Sequence, residues 1–179
     1  PAGNDLPFDE GLCEQGRNFS NKIWNAFRLI KGWEADDIEQ PESSKVAIEW
    51  FQQKLNKTIT EIDTSYSQYR ISEALMSTYK LMWDDFCSWY LEMIKPPYQH
   101  PIDQATLDAT IVFLEDLLKL LHPFMPFLTE EIWHVIKERT DDIIVADWPQ
   151  VNIINNQVLT DFEISAEVIT GVRNIRKQK

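Results

Sequence analysis

One stretch of the chain, residues 15–31, carries polar side chains of the types that bind nucleic acid. Its bases and amides include Arg17, Asn18, Asn21, Lys22, Asn25 and Arg28, and the stretch contains no acid. Cations pair with phosphates, and amides form hydrogen bonds with the edges of bases. A solvated helix usually mixes acids with bases, and the whole chain has a net charge of −12. The lack of acids here therefore indicates a surface for a phosphate-bearing partner.

The apolar residues of the same region predict the helix that must hold these side chains. They recur at three- and four-residue steps, which is typical of an amphipathic helix packed on a core: Leu12, Phe19, Ile23, Ala26, Phe27 and Ile30. We predict a helix that opens at Asp5 or Pro7 and runs to Lys31, with Gly32 near its end. Asparagine is unfavourable in helix interiors because its amide competes for backbone hydrogen bonds. Hydrogen bonds to a base edge or to a neighbouring helix would explain why one helix carries three asparagines.

Similar periodicity along the rest of the chain predicts an all-α fold. Its long helices and short connections favour an up-and-down helical bundle, with an irregular or extended segment near 143–157. On the third helix we expect a core face of Leu75, Tyr79, Met82, Trp83, Phe86, Tyr90 and Met93. The further helices are predicted from Ser43 or Ser44 to about Ser65, from Ile71 or Ser72 to Pro96, from Asp103 to Pro123, from Thr129 to Lys137 and from Thr160 to Lys177.

No pattern in the sequence predicts catalysis or a metal site. The histidines His100, His122 and His134 are scattered, and there is no glycine-rich phosphate loop. His122 is expected to be a hydrogen-bonded residue at a corner between helices. Cys13 and Cys87 lack metal-binding spacing and are expected to be free thiols. With neither a membrane-span pattern nor a signal peptide, we expect a cytoplasmic monomer with no membrane partner.

Three ordered segments resemble a known family. Residues 16–28, 81–92 and 120–133 are similar in order and spacing to segments of the class I aminoacyl-tRNA synthetases, the valyl-tRNA synthetase family in particular. The resemblance extends from Pro1 to about Trp148. Isoleucyl- and leucyl-tRNA synthetases share similar motifs and remain an alternative.

The resemblance implies an anticodon-binding domain that recognises the anticodon stem-loop of a valine tRNA. In the whole enzyme, a separate domain uses ATP to attach valine to the tRNA. Its His-x-Gly-His and Lys-Met-Ser-Lys-Ser segments do not occur here, so we expect no catalytic residues and no cofactor in this piece. By the resemblance, residues 1–7 end the linker after the catalytic domain and residues 8–150 form the bundle. Residues 151–179 are a truncated basic extension that leads toward a C-terminal coiled coil.

The resemblance also implies a set of tRNA contacts by position. Arg17, Lys22 and Arg28 would contact phosphates or bases, Asn25 would contact a base, and Leu29 would support a splayed base. On the third helix, Leu91 and Glu92 would close the same cleft, with Lys95 beside them. A net charge of −12 opposes RNA binding as a whole, so these contacts require one basic face on an acidic body.

A helical protein–protein interaction module is the alternative from another class. Such a module would bind its partner through an exposed apolar groove. An electrostatic RNA site weakens steeply as salt rises, whereas an apolar groove does not. The salt dependence of binding therefore separates the two hypotheses.

Overall fold

The computed structural model describes residues 8–177, and this part of the chain is a helical bundle, as predicted. Two short strands, β1 (Ala35–Asp36) and β2 (Ile102–Asp103), pair in parallel. The helices are α1 (Glu10–Lys31), α2 (Glu42–Ser67), α3 (Ile71–Lys80), α4 (Leu91–Ile94), α5 (Gln104–Leu121), α6 (Pro126–Ile136) and α7 (Asn156–Lys177); a π-helical segment (Leu81–Tyr90) makes α3 and α4 continuous.

Capping residues set several helix boundaries. Asp9 accepts a hydrogen bond from the backbone N–H of Gly11 at 2.8 Å, so α1 begins at Glu10. Asp5 and Pro7, where the sequence predicted this start, lie outside the described residues. The predicted start of α5 is confirmed, because Asp103 accepts a hydrogen bond from the backbone N–H of Thr106 at 2.8 Å.

Helices α2 and α6 begin earlier than predicted, as does α7, which starts at Asn156 instead of Thr160. Helix α2 starts at Glu42, directly after Pro41, instead of at Ser43 or Ser44. Helix α6 starts at Pro126 instead of Thr129. Proline suits the first helical position because its φ angle is already helical and its missing N–H would have no partner there. Pro126 therefore opens α6, whereas Pro123 directly follows His122, the residue that caps the end of α5.

The π-helical segment changes which residues of the third helix face the core. The Ser88 hydroxyl donates a hydrogen bond to the carbonyl of Trp83 at 2.9 Å, a span of five residues. A π-helix turns less per residue than an α-helix, so the adjacent side chains of Tyr90 and Leu91 are both buried. The predicted core position of Leu75 is wrong, since it is 39% exposed and Ala74 is buried in its place.

Aromatic rings fill the centre of the bundle. The ring of Phe51 on α2 is fully buried and lies 5.3 Å from that of Phe86, 4.9 Å from Tyr90 and 5.0 Å from Phe113. Rings at such separations gain attraction beyond simple burial. These contacts join α2, the π-helical segment and α5 into one core.

The end of the chain differs in part from the prediction. Residues 143–145, in the segment predicted to be irregular or extended, form a 3₁₀ turn in which the Ala146 N–H donates to the Ile143 carbonyl at 3.0 Å. Helix α7 starts at Asn156 and packs on α2, where the rings of Phe162 and Trp50 stack 3.8 Å apart. The ring of Trp89 lies 5.5 Å from that of Phe162.

Over the described residues, the helices are too short or too polar for any of them to cross a membrane.

Candidate nucleic-acid interface

A groove of about 1010 Å³ lies where the end of α1 meets the chain after α4. One wall comes from the last turn of α1 and the residues that follow it. The other wall comes from Lys95 and the proline-rich residues 96–101, which we call the loop segment. The lining residues are Arg28, Leu29, Gly32, Trp33, Glu34, Ala35, Asp36, Lys95, Pro96, Pro97, Tyr98, Gln99, His100 and Pro101.

Backbone contacts fix the two walls against each other. The N–H of Ile102 donates a hydrogen bond to the carbonyl of Glu34 at 2.9 Å, and the pairing of Ala35 with Ile102 continues the contact. Pro96 and Pro97 end the third helix, because proline cannot continue a helical hydrogen-bond ladder. The groove is therefore held open by main-chain structure as well as by side-chain packing.

The groove carries charges of both signs. Arg28 and Lys95 supply one cation on each wall, and Glu34 and Asp36 supply two acids near the strands. The cations can pair with phosphates, whereas carboxylates can accept hydrogen bonds from the amino groups of bases. Such a mixture suits a nucleotide loop better than a bare polyanion.

The structure brings together only some of the residues that the sequence suggested. Arg28, Leu29 and Lys95 line the groove. Asn25 is exposed about one turn before Leu29 on the same helix. Glu92 is exposed, and its carboxylate lies 4.0 Å from the Lys95 ammonium.

The two other predicted cations of α1 lie elsewhere. The Lys22 ammonium lies 4.5 Å from the centre of the Trp83 ring, a cation–π contact that ties α1 to the π-helical segment. Arg17 lies eleven residues before Arg28, a distance of about 16 Å along a helix, and its guanidinium is 3.6 Å from Glu14. Of the three predicted cations of α1, Arg28 lines the groove, whereas Arg17 and Lys22 do not.

Leu91 does not present its side chain to the groove. It is only 2% exposed and belongs to the core. The physical reason is the π-helical segment before it, which turns Leu91 inward beside Tyr90. Its contribution to the groove is indirect, through the position of the helix end that carries Lys95.

Sequence reasoning missed the loop segment and Trp33. Tyr98 is 90% exposed, and Gln99 adopts a left-handed backbone conformation with φ 63°. The signal for this wall is the sequence Pro-Pro-Tyr-Gln-His-Pro between two helices, where exposed polar and aromatic residues are framed by proline. From the sequence alone, these prolines indicate where a helix ends but not that the residues between them line a groove.

One histidine and two carboxylates meet outside the groove, on α6 and the turn that follows it. His134 Nε2 lies 3.0 Å from a Glu130 carboxylate oxygen and 3.1 Å from a carboxylate oxygen of Asp142. The same Glu130 oxygen accepts a hydrogen bond from the Ile143 N–H at 3.1 Å. These internal contacts account for the cluster, which fastens the turn to α6.

Two buried titratable groups belong to the interior. Burial raises the pKa of Asp85 to about 6, although the Lys54 ammonium lies 3.5 Å away and acts in the opposite direction. Burial also raises the pKa of the Cys87 thiol to about 11. Cys87 is therefore an un-ionised side chain at neutral pH. Both cysteines are free, as predicted.

Comparison with known proteins defines the class of this domain. A family model described as the anticodon-binding domain of tRNA ligases matches residues 49–179, and the chain belongs to this family. Curated relatives then give a narrower assignment. The chain is 59% identical over 182 residues to a valine–tRNA ligase of Parabacteroides distasonis and 59% identical over 182 residues to that of Christiangramia forsetii. It is 37% identical over 185 residues to the valine–tRNA ligase of Anoxybacillus flavithermus.

These alignments cover the whole of this chain for the first two relatives and 98% of it for the third. They cover 21% of each relative. The chain therefore spans about a fifth of the length of the curated relatives that it matches. Helix α1 lies outside the range of the family model but inside these alignments.

Proposed function

We propose that this chain is the anticodon-binding part of a valine–tRNA ligase and that its groove receives the anticodon loop of the tRNA. The family membership and the names of the relatives support the type of function. In this proposal the remaining part of the enzyme binds ATP and attaches valine to the tRNA. The relatives favour valine over the isoleucyl and leucyl alternatives.

The observation that carries the proposal is the pairing of cations across the groove. Arg28 begins the wall formed by the end of α1 and the residues after it, and Lys95 begins the opposite wall. Between them lie apolar surfaces of Leu29, Trp33 and the prolines. Single-stranded loops present splayed bases next to phosphates, so a groove with cations on both sides and an apolar lining is complementary to them.

The other residues predicted to contact the tRNA have different roles in this proposal. Asn25 and Glu92 are exposed beside the groove and can reach a base or ribose of a bound loop. Lys22 and Arg17 lie farther along α1 and would meet the stem or not take part. Leu91 acts by supporting the helix end.

The proposal includes the arrangement of the longer protein. Residues 1–7 would follow the catalytic domain, residues 8–150 would form the anticodon-binding bundle, and residues 151–179 would lead toward a C-terminal coiled coil. The partners are the valine tRNA and these neighbouring domains. A monomer in the cytoplasm is the expected form.

Binding of an RNA hairpin with a valine anticodon, measured over a range of salt concentrations, tests this function. Replacing one phosphate-contacting cation should weaken binding and lower the magnitude of the salt slope by about 0.7–0.9. Arg28→Ala and Lys95→Ala are the informative variants. Lys57→Ala is the matched control, because Lys57 is an exposed lysine on α2 outside the groove.

Lys22→Ala separates the cation–π contact from RNA binding. Because the Lys22 ammonium is already placed over Trp83, its removal should change affinity less than Arg28→Ala does. Asn25→Ala should alter the preference among anticodon sequences if its amide contacts a base. Equal effects of Arg28→Ala and Lys57→Ala would contradict the groove, and salt-independent binding of a protein partner in place of RNA would support the interaction-module alternative.

A further inference from the structure

Tyr98 is an exposed aromatic side chain on the wall of the groove. It is 90% exposed, whereas most of the other rings in the described residues pack against the core. A single exposed ring is common on a protein surface. What distinguishes Tyr98 is that it lines the groove, together with Arg28 and Lys95.

The backbone around Tyr98 is restricted in several ways. Pro96 and Pro97 precede it and Pro101 follows it, and proline fixes its own φ angle and limits the residue before it. The His100 N–H donates to the Pro97 carbonyl at 3.0 Å, which closes a turn around Tyr98 and Gln99.

Gln99 adds local strain to the same turn. Its φ of 63° lies in the left-handed region that non-glycine residues seldom adopt. Strain of this kind persists where the surroundings hold it, and it is concentrated at ligand-binding sites. A pre-formed turn loses little conformational freedom when a ligand binds.

The opposite wall lacks an exposed ring at the position that the family resemblance suggested for base support. Leu29 is aliphatic and half-buried, and Trp33 is half-buried against the core. Neither offers a freely accessible aromatic face. The loop segment supplies that face through Tyr98.

We propose that Tyr98 is a base-stacking residue of the groove, on which one unpaired nucleotide of a bound RNA loop packs its base. This inference rests on the proposed function and adds a specific contact to it. Stacking needs no particular base because every base has a π face. Tyr98 would thus contribute affinity and hold the loop in place, while polar groups of the groove select the sequence.

The first test is the affinity of the 179-residue chain for the RNA hairpin with a valine anticodon. Tyr98→Ala should weaken binding by about 5- to 150-fold, the range measured for loss of one base–aromatic stack. The salt slope should stay unchanged, because no charge is removed. Tyr98→Phe keeps the ring and should bind within about twofold of wild type.

Tyr69→Ala is a closely matched control. Tyr69 is also 90% exposed and lies in a turn, and its own φ is 60°. It precedes α3, so the long helix of residues 71–94 separates it from the groove by about 35 Å. Its removal should leave RNA binding at the wild-type level.

An abasic series identifies the stacked nucleotide. One loop nucleotide at a time is replaced by an abasic residue, and each hairpin is measured with wild type and with Tyr98→Ala. At the stacked position, the loss caused by Tyr98→Ala should disappear, because the ring has no base to contact. At the other positions that loss should persist. A structural role for Tyr98 would instead give the same loss at every position.

The outcomes distinguish this inference from the proposed function. If Tyr98→Ala binds like wild type while Arg28→Ala binds weakly, Tyr98 does not stack and the groove assignment survives. A full loss with Tyr98→Phe would also contradict stacking, since the ring is retained. If the wild-type chain does not bind the hairpin at all, the proposed function is wrong and the Tyr98 inference is overturned with it.

Discussion

Two proline-containing connections in this bundle contain the same residue types but place them in different surroundings. The loop segment, residues 96–101, joins α4 to β2 and carries Tyr98 and His100. The corner segment, residues 122–126, joins α5 to α6 and begins with His122. Each contains a histidine, an aromatic ring and at least two prolines, yet their side chains meet different surroundings.

In the corner segment the side chains find partners inside the protein. His122 Nδ1 forms a hydrogen bond with the Thr129 hydroxyl at 2.8 Å, which confirms the predicted corner role. Met125 packs against the core. In the loop segment, Tyr98 and His100 are exposed and line the groove. Proline therefore fixes the backbone in both places, and only the neighbouring elements decide whether the side chains stabilise the fold or remain available for a ligand.

The largest difference between the segments should appear in stability. Leu121, the last residue of α5 directly before the corner segment, is fully buried, and Leu121→Ala should lower the free energy of unfolding by about 2–5 kcal/mol. Urea denaturation measures this change. Phe127→Ala is the control, because Phe127 is 91% exposed, and it should change stability by less than about 0.5 kcal/mol. If the two variants lower the free energy of unfolding by similar amounts, burial of Leu121 does not explain its contribution to stability.

Asp85 lies outside both segments, and its burial predicts a separate effect on stability that depends on pH. The pKa of Asp85 rises from 3.8 to about 6 in the folded protein. Because the pKa of Asp85 is higher in the folded than in the unfolded protein, protonated Asp85 adds to the free energy of unfolding below pH 3.8. This contribution to stability is lost as the pH rises through 6. The loss should be up to about 3 kcal/mol.

Urea unfolding of wild type and Asp85→Asn across this pH range measures the effect. Asparagine resembles the protonated carboxyl group, so the variant should lack this part of the pH dependence. Lys54 is 32% exposed and can reach water once its partner is neutral. Parallel pH profiles for the two proteins would show that Asp85 does not titrate in this way.

A smaller loss should follow from breaking the hydrogen bond of the corner segment. Thr129 is fully buried, and Thr129→Val keeps its shape but removes the hydroxyl that contacts His122. The variant leaves the His122 imidazole without its partner, which should lower the free energy of unfolding by about 1–3 kcal/mol. Thermal or urea denaturation measures this change. Thr140→Val, at an exposed position, should have almost no effect. If both threonine variants are neutral, the His122 contact does not stabilise the corner.

The smallest stability effect is expected in the loop segment. Tyr98 is 90% exposed, so Tyr98→Ala should change the free energy of unfolding by less than about 0.5 kcal/mol, even if it weakens RNA binding. A loss comparable to that of Leu121→Ala would place Tyr98 among the residues that hold the bundle together. The contrast between the two segments would then fail.

The amino-acid sequence by itself determined the helices and the type of protein. Apolar residues at three- and four-residue steps predicted α1, α2 and α5, because helical periodicity depends only on residues close together in the chain. Asp103 marked the start of α5 for the same local reason. The order and spacing of three segments indicated the family, and the match to residues 49–179 confirms it.

Only the tertiary structure decided which polar residues share a surface. Arg28 and Lys95 are far apart in the chain, and their positions on facing walls depend on how α1 packs against the end of the third helix. The π-helical segment turned Leu91 inward, and packing placed Lys22 over Trp83. Tyr98 gained its place in the groove that Arg28 also lines through the pairing of β1 with β2. Periodicity describes each helix alone, whereas a groove is a property of the elements that meet there.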